Sequence, residues 1–371
     1  MTITTEIRDH IEPVVVEWER LAQHTNASPF LWPGWITAWW RAFGAGQLRI
    51  ITAYENGQLT GVLPLRQFRA TLSSPTNSHA PWFGFLAADE RAVEQLSRAL
   101  FSERSRRINL FRLSPADVGA SPVCTAASVA RYRVSKELRH RAPRVDTDGA
   151  WEAYESGLRR KFRSELRRRR RRLEEEGQLT LEVSDGTQKL SELLEEGFRV
   201  EGSGWKEARG TSINSQPATR RFYTEVAHWA AERGWLRLAF LRLNGRALAF
   251  DYCLEHNGTH YLLKTGYDPA YRRTAPGMII RYLMLARAFS NQISVYDFLG
   301  EGSEWKREWT SVQQETLFLR MFAPTVLGSI DRVAFVHGRP AAKSLADAIL
   351  GERGNRLLRS GRAKVRARLG P

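Results

Sequence analysis

Two matching stretches decide the fold: Arg49-Ile-Ile-Thr-Ala-Tyr-Glu-Asn-Gly-Gln-Leu-Thr-Gly-Val-Leu-Pro-Leu65 and, aligned to it without a gap, Arg237-Leu-Ala-Phe-Leu-Arg-Leu-Asn-Gly-Arg-Ala-Leu-Ala-Phe-Asp-Tyr-Cys253. Each is a β-rich run, an Asn-Gly pair and a second β-rich run. Asn-Gly is typical of a two-residue type I′ hairpin, because both residues tolerate a positive φ. A tryptophan-rich amphipathic stretch precedes each hairpin, Trp32 to Phe43 in the first copy and Phe222 to Trp235 in the second. Two helix-hairpin pairs at similar offsets predict a duplicated α/β unit.

The second copy continues into further predicted elements. They are a strand Thr259–Thr265, a helix from Gly277 to about Ser290, a strand Ile293–Leu299 and a strand Thr316–Phe322. Strand, helix and strand in that order predict at least one parallel pairing, with the helix on a face of the sheet. We therefore predict an α/β fold of two tandem domains, each a mixed, partly parallel sheet flanked by helices.

A basic junction, Tyr271-Arg-Arg-Thr-Ala-Pro-Gly277, separates the predicted strand from the helix. A helix N-terminus presents unpaired N–H groups and the positive end of the helix dipole, which suits a phosphate or pyrophosphate. Pro276 fits the first helical turn, and Ala275 and Gly277 let ligand oxygens approach the backbone. At the corresponding offset the first copy reads Phe83-Gly-Phe-Leu-Ala-Ala-Asp89 and lacks the arginines. The sequence therefore predicts one phosphate-binding site per chain, in the second domain.

The predicted organisation has three parts. An N-terminal domain without the phosphate motif covers residues 1–145, a ligand-binding domain covers 146–325, and a basic, helical tail covers 326–371. A basic helix over 151–175 is expected to link the domains. Its apolar residues recur at i, i+4 as one stripe, namely Tyr154, Leu158, Phe162 and Leu166. Because this stripe indicates packing on the protein, we interpret the six consecutive arginines from Arg167 as solvated, and favour this over nucleic-acid binding.

Charge and composition limit the partners. The chain has 371 residues and a formal net charge of +16, which favours anionic partners: a phosphorylated cofactor, a nucleic acid, or an anionic membrane surface in contact with the tail. We find no secretory signal and no apolar stretch long enough to span a bilayer, so we expect a cytoplasmic protein, with peripheral membrane contact as the alternative. The two cysteines give no metal-ligand spacing, and no metal is expected. Walker, H-E-x-x-H and G-x-S-x-G motifs do not occur. The sequence therefore gives no support for P-loop chemistry, metal-dependent hydrolysis or a serine-hydrolase elbow.

Several phrases of the second half together resemble one family. They are Glu201-Gly-Ser-Gly-Trp-Lys206, Tyr261-Leu-Leu-Lys-Thr-Gly-Tyr-Asp268, the junction Tyr271 to Gly277, Asp297-Phe-Leu-Gly300 and Trp305-Lys-Arg-Glu-Trp309. They resemble the BioF2-like or CelD-type acetyltransferases of the GNAT superfamily, which are related to Fem-type aminoacyltransferases and have two GNAT-like domains in tandem. The resemblance runs from about residue 10 to 325. It implies an acyl-CoA donor, most simply acetyl-CoA, held by the second domain. The predicted cofactor-binding residues are Arg272, Arg273, Ala275, Gly277 and Met278.

Three carboxylates are candidates for the general base, because an incoming ammonium must lose a proton. Glu201 precedes a Gly-rich turn and Asp297 ends a predicted strand, where open α/β sheets present ligands, so both rank above Asp251. For each, the alternative is a charge satisfied by a neighbouring arginine. Tyr267 is a candidate general acid toward the departing thiolate, a role that tyrosines take in related enzymes, and core packing is the equal alternative.

Four further residues are predicted to bind the acceptor substrate: Trp205, Lys206, Lys264 and Lys306. Lys264 lies in an apolar strand and Lys306 lies between two tryptophans, so either could contact a phosphate or a carboxylate on the acceptor. The alternative is that both are surface lysines, and that the aromatic residues cover an edge of the core.

The predicted function is an N-acyltransferase that moves an acyl group from acyl-CoA to an amine. Two alternatives stay open at this point. One is a Fem-like transferase that takes its acyl group from aminoacyl-tRNA, with the basic helix against the RNA backbone. The other is a non-catalytic scaffold in polysaccharide or envelope biosynthesis. The sequence specifies neither the acceptor nor the oligomeric state.

Overall fold

The computed structural model describes residues 3–204 and 210–338, which form two compact units. Unit 1 comprises the residues up to Arg139 together with the described residues from Glu315 onward, and unit 2 comprises His140–Gln314. This division differs from the predicted boundary at residue 325. The strand Gln313–Phe322 pairs with Arg107–Leu113, so most of it belongs to unit 1.

The strands and helices are numbered along the chain. The strands are β1 (Ile3–Arg8), β2 (Gln47–Glu55), β3 (Gln58–Phe68), β4 (Thr71–Ser73), β5 (Leu86–Ala87), β6 (Arg107–Leu113), β7 (Arg133–Asp146), β8 (Leu179–Ser184), β9 (Leu236–Leu243), β10 (Arg246–His256), β11 (Thr259–Tyr267), β12 (Val295–Asp297) and β13 (Gln313–Phe322). The helices are α1 (Val15–His24), α2 (Pro33–Phe43), α3 (Glu90–Ala99), α4 (Ala120–Val129), α5 (Trp151–Gly157), α6 (Arg160–Glu176), α7 (Leu190–Gly202), α8 (Pro217–Glu232), α9 (Pro276–Ser290), α10 (Glu304–Arg307) and α11 (Val326–Val333).

Unit 1 has a mixed sheet in the order β1-β2-β3-β4-β6-β13. The β2–β3 hairpin turns at Asn56-Gly57, with φ of 52° and 77°, as the Asn-Gly pair predicts. Strands β4 and β6 pair in parallel, and α3 lies in the connection between them. The apolar face of α3 packs on the sheet beside α4, and their buried residues share one core with β2, β3, β6 and β13.

Unit 2 has a mixed sheet in the order β7-β12-β11-β10-β9-β8. Its β9–β10 hairpin turns at Asn244-Gly245, with φ of 50° and 81°, and a further hairpin turns at Asn257-Gly258, with φ of 46° and 69°. Strands β11 and β12 pair in parallel and α9 connects them. The predicted α/β class, with partly parallel sheets flanked by helices, is therefore confirmed.

Strands β11 and β12 diverge soon after they meet. Their pairing covers only Thr259–Tyr261 against Val295–Asp297, and β11 then continues to Tyr267. On its other edge β11 stays paired with β10 up to Tyr267. The β12-side edge of β11 beyond Tyr261 therefore carries backbone N–H and C=O groups that β12 does not pair.

The basic segment forms two helices where one continuous helix over 151–175 was predicted. Helix α5 ends at Gly157, and Leu158 takes an extended conformation with ψ of 149°. Glycine is a weak helix former, and the extended turn lets Leu158 join the buried core of unit 2. Helix α6 then buries Leu166 and Leu173, and its arginines lie at the surface among glutamates, with Arg169 bonded to Glu165 at 2.6 Å.

The described part of the predicted tail contains α11, and residues 339–371 of it lie outside the described residues. Within the described ranges, no helix combines the length and the apolar character needed to cross a membrane. The same ranges contain no group of three or more His, Cys, Asp or Glu residues placed to hold a metal ion.

Candidate active site

A short capped turn places the arginine pair directly after β11. The Asp268 carboxylate accepts a hydrogen bond from the Ala270 N–H at 3.0 Å and so caps the 3-10 turn Pro269–Tyr271. The same carboxylate binds the Arg246 guanidinium of β10 at 2.7 Å. Because Asp268 ties the turn to the neighbouring strand, Arg272 and the residues after it emerge at the end of β11 in a fixed direction.

The backbone before α9 has an uncommon conformation. Ala275, the residue before the helix, lies in the left-handed region with φ of 47° and ψ of 59°, and no side chain caps the helix. A non-glycine residue with positive φ is strained, and such strain concentrates at functional sites. Among the described residues, the N–H groups of Arg273 and Gly277 donate to no acceptor. Unpaired N–H donors and the positive end of a helix dipole are groups that favour an anion.

Arg272 and Arg273 are both exposed, and neither guanidinium forms an ion pair or hydrogen bond with another described residue. Two exposed guanidinium groups without a partner among the described residues thus lie just before the open helix end in the chain. The Tyr267 ring packs against Gly277 in the first turn of α9, since a Cβ added at Gly277 would lie 3.3 Å from the Tyr267 Cδ1 atom. The structure thus brings together Tyr267, the arginine pair and Gly277. Met278 follows in the first turn, half-buried against the core of unit 2.

A buried ion pair anchors α9 to the sheet. The Arg281 guanidinium contacts both carboxylate oxygens of Asp251 at 2.6 and 2.8 Å, and both side chains are 0% exposed. It also donates to the Tyr296 hydroxyl at 2.6 Å and to the Thr265 hydroxyl at 3.1 Å. Burial alone would lower the pKa of Arg281, but the Asp251 carboxylate outweighs burial and raises it. Asp251 is therefore a structural anion, which agrees with its low rank among the candidate bases.

Glu201 lies at the C-terminal end of α7, directly against β11. A Cβ added at Gly266 would lie 2.3 Å from the Glu201 Cα, so glycine is required there for the close approach. The carboxylate is 1% exposed and accepts a hydrogen bond from the Ile213 N–H at 2.8 Å. Burial and the charge of Glu201 raise the pKa of the neighbouring Tyr223 phenol well above its usual value. A buried carboxylate therefore lies beside the part of β11 that has separated from β12.

Asp297 ends β12 and is engaged by the turn that follows. Its Oδ1 accepts a hydrogen bond from the Leu299 N–H at 2.7 Å, and Leu299 and Gly300 have positive φ values of 50° and 59°. The Lys306 ammonium donates to the backbone carbonyls of Phe298, at 3.1 Å, and Leu299. Both predicted residues thus hold this turn together, which gives them a structural task whatever else they do.

The remaining predicted residues divide into two groups. The Lys264 ammonium lies 5.4 Å from the centre of the Tyr223 ring, and Lys264 shares a strand face with Gly266. Lys264, Tyr223 and Glu201 therefore lie on the same side of β11. Trp205 and Lys206 lie outside the described residues.

Three residues that position the site were not predicted: Asp268, Arg281 and Tyr223. A signal existed for Arg281, because it is the only charged residue in the apolar run Met278 to Ala286. Asp251 is likewise charged within an apolar strand. Two opposite charges, each in a buried element, indicate a pair, since a buried charge without a partner is strongly unfavourable.

Comparisons with known proteins found one matching family model and several similar solved structures. The model of the acetyltransferase (GNAT) domain matches residues 160–307, from α6 to the end of α10. The C-terminal DUF2156 domain of a candidate lysylphosphatidylglycerol synthetase from Agrobacterium fabrum has 12% sequence identity and a TM-score of 0.56, covering 88% of this chain and 97% of that chain. FemX has 14% identity and a TM-score of 0.55, covering 86% of this chain and 97% of that chain. No curated protein matches the sequence.

At these identities the two solved structures establish a shared fold. The matched residues 160–307 contain β11, the arginine junction, α9 and β12, which are the elements that build the open helix end. Residues 160–307 therefore match a GNAT acetyltransferase domain, and the elements that build the open helix end lie within that match.

Proposed function

We propose that the chain is an N-acyltransferase that takes its acyl group from acyl-CoA, most simply acetyl-CoA, and delivers it to an amine. The observation that carries this proposal is the position of Arg272 and Arg273 at the uncapped start of α9, with no partner for either guanidinium among the described residues. A pyrophosphate would accept from these groups and from the free N–H groups of Arg273 and Gly277. The finer placement among BioF2-like or CelD-type enzymes is part of the same proposal.

The separated edge of β11 supplies the place for the thioester. An extended pantetheine chain would run from the α9 N-terminus along the backbone that β12 leaves unpaired after Tyr261. A backbone N–H of this edge would then stabilise the oxyanion that forms when the carbonyl is attacked. The amine nitrogen forms the new C–N bond as the C–S bond breaks, and the products are an amide and CoA.

Two protons move in this reaction. The ammonium of the acceptor loses one proton before attack, and Glu201 is the carboxylate placed to receive it, directly or through water, since it lies against Gly266 of the separated strand. The departing thiolate gains a proton, and Tyr267, which ends β11, is the residue proposed to supply it. Lys264, on the Glu201 side of β11, would contact an anionic group of the acceptor.

The donor site is tested by calorimetric titration of the full chain with acetyl-CoA. Arg272→Ala combined with Arg273→Ala is expected to weaken binding by roughly 100-fold, because two charge-assisted contacts are lost. Arg171→Ala combined with Arg172→Ala removes the same charge from exposed positions on α6 and is the matched control. Equal weakening by both double variants would show a general charge effect and contradict the assigned site.

The base is tested by CoA release with a panel of primary amines. Glu201→Gln is expected to lower kcat by roughly 10²–10⁴-fold while acetyl-CoA affinity stays unchanged. Asp297→Asn is the comparison variant, and a larger loss of kcat there than in Glu201→Gln would transfer the role to Asp297.

The alternative acyl donor is aminoacyl-tRNA, because the basic helix α6 carries positive charge that could contact an RNA backbone. In the structure, arginines of this helix are paired with glutamates of the same helix: Arg168 and Arg169 with Glu165, and Arg170 with Glu174. This pairing reduces the charge available to a polyanion. Salt-sensitive tRNA binding, lost in Arg171→Ala plus Arg172→Ala, would favour the rival.

A further inference from the structure

We propose that unit 1 contains a second binding site, for a small monoanionic carboxylate, built on Arg66 of β3. The proposal concerns a ligand other than the acyl-CoA donor, and all of its residues belong to unit 1.

Arg66 is largely buried and has no partner among the described residues. The residue is only 4% exposed, and its Nε atom is buried and forms no hydrogen bond. Within the described residues, no carboxylate or other acceptor contacts its guanidinium. Burial lowers the pKa of Arg66, although the group stays charged. The terminal guanidinium nitrogens are not among the buried atoms that lack a partner, so an anion could reach them, and it would stabilise a largely buried cation that has no counter-charge among the described residues.

Arg66 lies on the sheet face opposite the core that α3 and α4 cover. Its neighbour Leu65 belongs to that core, and successive side chains of a strand point to opposite faces. The same alternation applies to Ser73 beside Leu72 in β4 and to Asn109 beside Ile108 in β6.

The register places these polar residues in one row. Arg66 pairs with Ser73, and Ser73 pairs with Asn109. Adjacent strands are about 4.8 Å apart, so the row spans roughly 10 Å, within reach of one small ligand. Ser73 and Asn109 are 3% and 7% exposed, and the buried Asn109 Oδ1 forms no hydrogen bond with a described residue. A cation and an amide oxygen, both unsatisfied, thus face the same small region.

Comparison with Arg320 indicates the charge of the ligand. Arg320 of β13 pairs with Asn109 in the register and extends the same row, but its guanidinium contacts the Glu137 carboxylate at 3.2 Å and covers the ring of Phe111. Arg66 is therefore the cation of this row that lacks a counter-charge. One guanidinium balances one negative charge, which fits a carboxylate and would leave a phosphate dianion in excess. The hydrogen-bond donor that the Asn109 Oδ1 atom lacks would come from a hydroxyl or amine of the same ligand.

The test is the thermal unfolding of the full chain in sodium acetate, with sodium chloride and sodium phosphate at equal ionic strength. A ligand that binds the native state raises Tm as its concentration exceeds Kd. We expect a saturable rise in acetate that depends on Arg66, and no rise in phosphate that depends on Arg66. Arg66→Met, which keeps the length and removes the charge, is expected to abolish the rise and to have a higher Tm than the unsubstituted chain in chloride. Arg320→Met is the matched control and is expected to keep the acetate response.

Each remaining outcome overturns the proposal. No saturable rise in acetate, or the same rise in Arg66→Met, would show that Arg66 binds no carboxylate. A rise in phosphate that equals or exceeds the rise in acetate and is lost in Arg66→Met would reject a monoanion. A lower Tm of Arg66→Met in chloride would show that Arg66 already has a favourable partner within the chain. Acetyl-CoA titration of Arg66→Met is expected to match that of the unsubstituted chain. A result that overturns the Arg66 site therefore does not bear on the proposed acyl-CoA site.

Discussion

The two units contain the same strand-helix-strand connection, but their helices begin differently. In unit 1, α3 follows Asp89, which is extended and whose carboxylate accepts a hydrogen bond from the Ala92 N–H at 2.8 Å. In unit 2, α9 follows Ala275, which is left-handed and provides no side-chain cap. A capped N-terminus is satisfied within the chain, whereas an uncapped one can accept a ligand.

The charges beside the two helix ends differ in the same sense. Asp89 and Glu90 bring two negative charges to the start of α3, and Arg272 and Arg273 bring two positive charges to the approach to α9. An anion is therefore repelled from one helix end and attracted to the other. We therefore expect one anion site per chain although both units share the connection, because the residues at the two helix ends differ.

The largest expected effect concerns the anchor of α9. Arg281→Met leaves Asp251 buried without a partner and is expected to lower the free energy of unfolding by about 3–5 kcal/mol, measured by urea denaturation. Arg98→Ala in α3 is the control, because its pair with Glu94 is exposed and should contribute less than about 0.5 kcal/mol. Similar losses in both variants would show that α9 is held no differently from α3.

An aspartate at position 275 would give α9 the kind of residue that precedes α3, where Asp89 caps the helix. Ala275→Asp places a carboxylate among the free N–H groups and is expected to weaken acetyl-CoA binding by roughly 100-fold, through repulsion of the pyrophosphate. Ala275→Asn has nearly the same shape without the charge, so its loss should be much smaller in the same titration. If the two substitutions weaken binding equally, shape and not charge controls this site.

One carboxylate in each unit should respond oppositely to acid. Burial raises the pKa of Asp117 in unit 1 to about 6, so its contribution to stability grows as pH falls from about 6 toward 3.8. Burial opposes ionisation of Glu255 in unit 2, yet His260 and Arg287 lower its pKa to about 2, so its contribution is lost as pH falls below 4.5.

Urea denaturation of Asp117→Asn at two pH values checks this sign. The substitution is expected to stabilise by about 2 kcal/mol at pH ~8, where the buried carboxylate is ionised, and by much less at pH ~4. Glu255→Gln should instead destabilise at neutral pH, with a smaller loss in acid. A difference between Asp117→Asn and the unsubstituted chain that does not change with pH would contradict the raised pKa.

The smallest expected effect is at the capped helix. Asp89→Ala removes the N-cap of α3 and is expected to cost about 1 kcal/mol of unfolding free energy. Acetyl-CoA titration of this variant should be unchanged, because α3 is not the donor site. Weakened donor binding in Asp89→Ala would mean that the two helix ends do not act separately.

Local patterns predicted the hairpins and the open helix end. Asn56-Gly57 and Asn244-Gly245 carry their own conformational preference, and Pro276 marks the first turn of α9, so each can be read from adjacent residues. The same holds for the absence of arginines before α3.

Features that depend on distant contacts were not predictable in this way. The return of β13 to β6 joins residues about 200 positions apart, and no local pattern encodes that pairing. The break at Leu158 overrides a good helical stripe, because burial of Leu158 in the core outweighs local periodicity. Asp251 was a candidate base from its sequence position, because its partner Arg281 lies 30 positions away along the chain.

The most direct measurement is the stoichiometry of acetyl-CoA binding to the full chain by calorimetry. The contrast between α3 and α9 predicts one saturable site per chain, retained in Asp89→Ala and lost or strongly weakened in Arg272→Ala plus Arg273→Ala. Two sites per chain, no binding, or a site that survives the double arginine substitution unchanged would contradict it.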